Sequence, residues 1–178
     1  PELLPGQFRH DTENWFKRRQ LESEKIQYSV PYLRGKLISK NLEQILKLKK
    51  NVLQELNPED FCKFFANFYA QLDFTHPFIE GNSRTLRTFT KIFAKEIGYT
   101  INWNTSNANA VTRDILYKAR DIEVLKLYYS ENLNDNYLAN HDFKSISEYE
   151  LAFSAYKGYI SIVKSKKLID LVREEIIN

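Results

Sequence analysis

The chain has 178 residues, 43% of them hydrophobic and 28% charged, with a net charge of +3. That length supports one substantial core, so residues 1–178 are read as a single domain. One cysteine, Cys62, excludes an internal disulfide framework, no apolar run approaches the ~18 residues of a membrane span, and the mild, dispersed basic charge disfavours a nucleic-acid binder.

Taken in chain order, Arg9 to Leu37 is the one non-helical region. Lys25-Ile26-Gln27-Tyr28-Ser29-Val30-Pro31 alternates and is rich in β-branched and aromatic types, which predicts a short hairpin or edge strand closed by Pro31. Ser39 is expected to cap a helix carrying Leu42, Ile45, Leu46, Val52 and Leu53. Asn57-Pro58-Glu59-Asp60 combines a cap, a first-turn proline and acids, and opens a helix with Phe61, Phe64, Phe65, Phe68 and Leu72 on one stripe. Cys62 lies in that stripe and reads as a buried bystander. Pro77 and Gly81 interrupt helix, and Arg84, Leu86, Phe89, Phe93 and Ile97 resume helical spacing from Asn82 or Ser83 until Gly98 caps the end. A polar run from Asn102 to Asn109 leads into a helix over 110–127, and an Asn-rich loop crosses to Ser145, which opens another helix through Tyr156 with capping-box spacing to Glu148. A last helix is expected over 164–177. Lys47, Lys49, Lys50, Lys164, Lys166 and Lys167 alternate with apolar helix positions and read as solvated faces. The predicted fold class is all-α, a bundle-like domain with one small β-hairpin.

The stretch HPFIEGNSRTLR, His76 to Arg87, concentrates chemistry found nowhere else in the chain. The first turn of its helix leaves N–H groups of Gly81, Asn82, Ser83 and Arg84 free for an anion, and the helix dipole favours negative charge there by ~0.3–1 kcal/mol. Arg84 and Arg87 stand three apart on one face, and two guanidinium forks beside an amide nest describe a site for several phosphates. Glu80 fits among phosphates when a cation stands between them, as Mg²⁺ does with one carboxylate, phosphate oxygens and water. His76 can titrate near neutrality, as a general base must. Together these groups imply a nucleotide over the helix start and a histidine that deprotonates an incoming hydroxyl.

This segment resembles the signature of the Fic (filamentation induced by cAMP) domain family, H-P-F-x-D/E-G-N-G-R-x-x-R, departing from it at Ser83, where glycine is usual. The resemblance implies a helical Fic fold with a β-hairpin flap near the active site, and transfer of AMP from ATP to a Tyr, Thr or Ser hydroxyl of a target protein with release of pyrophosphate. It gives His76 the role of general base, Glu80 that of metal ligand, Asn82 and the backbone amides contacts to phosphate, and Arg84 and Arg87 the phosphate chain. Gly81 shapes the loop, Phe78 is its buried anchor, and ATP and Mg²⁺ are the expected cofactors. Ser83 is a natural first-turn residue whose hydroxyl can donate to phosphate, but it costs on the order of 1 kcal/mol if the position needs positive φ. A nucleotide-binding module with little or no turnover, or transfer of another phosphate-containing moiety, is the alternative.

Pro5-Gly6-Gln7-Phe8-Arg9 resembles the W-A-G-x-x-R stretch that precedes the family's flap, with Trp15-Phe16-Lys17-Arg18-Arg19 as an inserted run. Ile26, Gln27, Tyr28, Ser29 and Val30 then become the edge that docks the target by strand addition. The family's inhibitory pattern, S/T-x-x-x-E/A-G/N, is unmatched at either end; Ser39 to Gln44 has Ser and Glu at the right spacing but Gln44 where Gly or Asn is expected, so restraint from a partner protein is open. Trp103 is expected in the core near the nucleotide, and His10 and His141 at the surface. A cytoplasmic protein linked to cell filamentation is expected, with delivery to another cell as an alternative, no membrane association, and N-terminal truncation left open by the start at Pro1.

Overall fold

The computed structural model describes residues 7–11, 15–47, 53–130 and 132–177. Pro5, Gly6, Lys49, Lys50 and Val52, which carried parts of the sequence reading, lie outside these residues. Among the described residues the chain forms seven α-helices and two small antiparallel sheets, an all-α architecture with a β-hairpin.

The hairpin comprises β1 (Trp15–Gln20) and β2 (Gln27–Tyr32), in register from Trp15 opposite Tyr32 to Gln20 opposite Gln27. The run read as an insertion is thus the first strand of the flap. Pro31 sits inside β2 and does not end it, which a two-stranded ribbon tolerates. After a 3₁₀ turn at Gly35–Leu37, helix α1 (Ile38–Leu46) starts at Leu37 without a side-chain cap, so Ser39 lies inside the first turn.

Helix α2 (Pro58–Thr75) starts as expected: Asp60 N donates to the Asn57 side chain at 2.9 Å, with Pro58 in the first turn. Helix α3 (Asn82–Glu96) follows the motif loop, and Gly98 adopts a left-handed φ of 91° just beyond it. Asn109 and Thr112 form a reciprocal capping box that opens α4 (Ala110–Tyr129). The Asn-rich stretch holds a helix that periodicity did not reveal, α5 (Asp135–Asn140), because Asn134 caps it by accepting from Tyr137 N. Ser145 accepts from Glu148 N at the start of α6 (Ile146–Ile162). The last helix is shorter than predicted: α7 spans Leu168–Glu175, and Ile176–Ile177 (β4) instead pairs with Thr100–Ile101 (β3).

Two apolar cores meet along α4. Leu116 and Ala119 join Phe61, Phe65, Tyr69, Phe93, Trp103 and Val172 in the first, whereas Ile122, Val124, Leu125 and Tyr129 join Tyr28, Val30, Tyr32 and Ala155 in the second. The hairpin is therefore seated on α4 and α6. At Gly158 of α6 an added Cβ would lie 2.3 Å from both Cβ and Cγ of Tyr28, so only glycine lets the helix approach the strand this closely. Cys62 is buried, and burial pushes its thiol pKa up, consistent with a packing role. Among the described residues no helix is long and apolar enough to cross a membrane.

Candidate active site

His76 stands where α2 ends. Its backbone is left-handed (φ 43°, ψ 60°), its N–H donates to Leu72 O, and it precedes Pro77. A non-glycine residue there costs on the order of 1–3 kcal/mol and persists only when its surroundings over-determine it. Arg9 does so. Its Nε donates to the His76 carbonyl at 2.7 Å and its Nη2 to the carbonyls of Thr75 (3.3 Å) and Leu33, while Asp11 accepts from Nη1 at 2.5 Å. Arg9 N also donates to Pro77 O, and Arg9 is 3% exposed, so the N-terminal segment is a clamp on the loop.

The His76 ring is 5% exposed, packs on Tyr32 with centroids 3.8 Å apart, and has no hydrogen-bond partner at either nitrogen. Burial, then the charges of Lys17, Arg120, Arg9 and Arg19, bring its pKa down to about 2. At neutral pH the imidazole is an unprotonated base with a free nitrogen.

The rest of the loop holds its own shape. Gly81 adopts φ 84°, a left-handed position where glycine is unstrained, and no side chain caps α3. The first-turn amides of Asn82, Ser83 and Arg84 therefore have no intrahelical acceptor. The Asn82 side chain is committed elsewhere: its Oδ1 accepts from Phe78 N (2.9 Å) and its Nδ2 donates to Phe78 O (2.6 Å). These two bonds staple the loop and leave the second Nδ2 hydrogen and the backbone N–H of Asn82 for an anion. Phe78 is half-buried against Phe8, not the buried anchor expected.

Ser83 lies in the right-handed helix and is absent from the positive-φ positions, so serine fits here without backbone strain. Its Oγ accepts from two guanidinium groups, Arg87 Nη1 at 2.8 Å and Arg120 Nη1 at 2.9 Å. Arg120, on α4, is 2% exposed and forms a bidentate pair with buried Asp73 (2.9 and 2.6 Å). Glu80 is exposed, with Lys17 Nζ 3.4 Å from its Oε1; the same ammonium donates to Ile79 O at 3.0 Å.

These groups border an open cleft of about 250 Å³. The structure brings His76, Glu80, Gly81, Asn82, Ser83 and Arg84 to its wall, while Arg87 stands behind Ser83. It adds Lys17, Arg19, Tyr32, Tyr117 and Arg120, which sequence reasoning missed. The available signal was charge at core-facing helix positions, Asp73 after Leu72 and Arg120 and Asp121 after Ala119; Asp121 holds Arg19 at 2.7 and 2.9 Å.

The expected docking edge, Ile26 to Val30, is largely covered. Tyr28 and Val30 are buried, and Ser29 N on the outer edge of β2 donates to Ser154 Oγ of α6 at 3.1 Å. The partly exposed strand beside the cleft is β1. Glu43 is exposed on α1, and among the described residues no ion pair joins it to Arg87. Trp103 is buried, its Nε1 3.3 Å from Thr90 Oγ1, and His10 and His141 are exposed, as expected.

The sequence model of the Fic/DOC family matches residues 3–94. Two curated relatives are similar over shorter stretches. Protein adenylyltransferase VbhT of Bartonella schoenbuchensis is 38% identical over 61 residues, covering 34% of this chain and 13% of that protein. A protein adenylyltransferase of Bartonella henselae is 40% identical over 63 residues, covering 35% of this chain and 11% of that protein. The stretches matched are thus roughly an eighth of those relatives. Among solved structures, the ADP-bound N-terminal Fic domain of a cell filamentation protein from Bartonella quintana, a VirB-translocated Bep effector, aligns with a TM-score of 0.48 at 19% identity, covering 90% of this chain and 61% of that one.

Proposed function

Because the chain belongs to the Fic/DOC family, we propose that it transfers AMP from ATP to a hydroxyl of a target protein, with pyrophosphate leaving. The observation that carries this reading is the buried, neutral His76 ring, with both nitrogens unpartnered, in a cleft lined by Lys17, Arg19, Arg84 and Arg120 beside an uncapped helix start. The adenylyltransferase names of two relatives agree with it.

In this reaction a ring nitrogen of His76 accepts the proton of the target hydroxyl as its oxygen attacks the α-phosphorus, and the bond to the bridging oxygen of pyrophosphate breaks. Burial is the first cause of the low pKa and the nearby cations the second; the negative charge of a bound nucleotide offsets Lys17, Arg19 and Arg120 and makes the ring a stronger base. The amides of Asn82, Ser83 and Arg84 and the Arg84 side chain hold phosphate oxygens as charge moves to the leaving group. Among the described cleft-lining residues Glu80 is the only carboxylate, and no group of three potential ligands could hold a metal alone. One carboxylate fits Mg²⁺: Glu80 would hold the ion, which would supply charge neutralisation at the phosphates when bound.

The target segment docks on the outer edge of β1, adding a strand beside Lys17, because the corresponding edge of β2 is held against α6. Incubating the domain with cell lysate and ATP labelled at the α-phosphate tests the reading: label is expected on protein and absent with His76→Ala. Equal labelling from γ-labelled ATP would identify phosphoryl transfer and overturn it.

A further inference from the structure

The cluster around Ser83 joins two helices that the sequence motif does not connect. A serine hydroxyl offers two lone pairs and one hydrogen. Both lone pairs here face guanidinium donors, Arg87 Nη1 at 2.8 Å and Arg120 Nη1 at 2.9 Å. The hydrogen is the remaining function, and Ser83 lies on the cleft wall beside Arg120, Arg84 and the unpartnered His76 ring. Two cations on one neutral oxygen withdraw electron density from the O–H, making it a stronger donor to an anion.

Arg120 is not held by Ser83 alone. Asp73 engages its Nε and Nη2, fixing the plane of the guanidinium and leaving Nη1 toward Ser83 and the cleft. Their side chains are 2% and 1% exposed, so the fork is preorganised and an incoming phosphate pays little to order it.

We propose that Ser83, Arg87 and Arg120 form one phosphate-binding unit, in which the Ser83 hydroxyl donates to a phosphate oxygen and Arg120, from outside the motif, is a further phosphate-binding residue. Arg87, behind the hydroxyl, acts through Ser83. The unit deepens the nucleotide reading above and rests on it.

The test is calorimetric titration of ATP and of inorganic tripolyphosphate into the wild type, Ser83→Ala and Arg120→Lys, with adenosine measured by competition. Lysine keeps a cation beside Asp73 but lacks the fork. Both variants are expected to lose about tenfold or more in affinity for ATP and tripolyphosphate, from one charge-assisted bond, with adenosine unchanged. A purely structural role would move adenosine equally. The pair Asp73→Asn with Arg120→Gln removes both buried charges together and, once its thermal melt shows a folded protein, is expected to show the same selective loss. Unchanged or raised affinity in Ser83→Ala, or a loss in Arg120→Lys absent from the paired variant, overturns the assignment. Failure of the wild type to bind ATP removes the nucleotide reading itself.

Discussion

Replacing Gly158 by alanine tests how the hairpin is seated. The new methyl would lie 2.3 Å from Cβ and Cγ of Tyr28 and 2.7 Å from its Cδ2, against a carbon–carbon optimum of about 3.5–4.0 Å. Helix and strand must therefore part by more than an ångström. Tyr28 cannot yield cheaply: it is 1% exposed and its hydroxyl donates to buried Asp121 at 2.8 Å. Overpacking costs about 1–3 kcal/mol and loss of that charged hydrogen bond about 1.5–3, while alanine returns about 1 kcal/mol of helix propensity. The net loss is about 1.5–5 kcal/mol, or roughly 3–20 °C in melting temperature for a domain of this size. Thermal and urea unfolding measure it, and Gly158→Ala melting at or above the wild type would refute the tight seat. Because the same strand carries Tyr32 against His76, the variant is also expected to lose labelling activity under conditions where it remains folded.

His76→Ala should abolish transfer while leaving ATP affinity close to wild type, since the ring acts on the incoming hydroxyl; calorimetry beside the labelling assay separates the two. Its folded pKa of about 2 lies below the unfolded value near 6.5, so the unfolded state binds the extra proton, and the stability contribution is complete above pH 6.5 and lost as pH falls toward 2. The wild type should lose ~2 kcal/mol between pH 7 and pH 5 relative to His76→Gln in urea titrations, and identical pH profiles would refute the neutral buried ring. Arg87→Ala removes one of the two guanidinium donors from Ser83 Oγ and should weaken ATP through that hydroxyl; equal calorimetric affinities for wild type and variant would remove Arg87 from the site. Arg9→Ala strips the clamp from the carbonyls of Leu33, Thr75 and His76 and leaves Asp11 with Gly35 N as its donor, so a loss of about 1–3 kcal/mol is expected by chemical denaturation.

The helices around the motif were legible because their punctuation is local: Asn57 and Pro58 start α2, Gly81 turns into α3 and Gly98 ends it, each through its own backbone or side chain. The motif likewise disclosed the cleft wall from His76 to Arg84. What it could not disclose was partner choice. That the Asn82 side chain bonds both the N–H and the C=O of Phe78 is a choice that only the folded loop makes. Strand order in the hairpin was also hidden, since Trp15 to Arg19 and Ile26 to Val30 both carry strand-forming residues and burial on α6 is what distinguishes inner from outer. The Asp73–Arg120 pair spans 47 residues, beyond the reach of any periodicity.

The turn from α2 to α3 sets two helix axes end to start around the cleft. His76 caps the carbonyl end of an 18-residue helix, and uncapped amides open the other end of a 15-residue one. The first end is the negative pole of its helix and the second the positive pole of the next. In the proposed transfer, positive charge grows on the histidine as it takes the proton while negative charge grows on the departing pyrophosphate. Each charge then develops against the pole of opposite sign, so the backbone of a single loop would draw the proton and the leaving group apart before any side chain contributes.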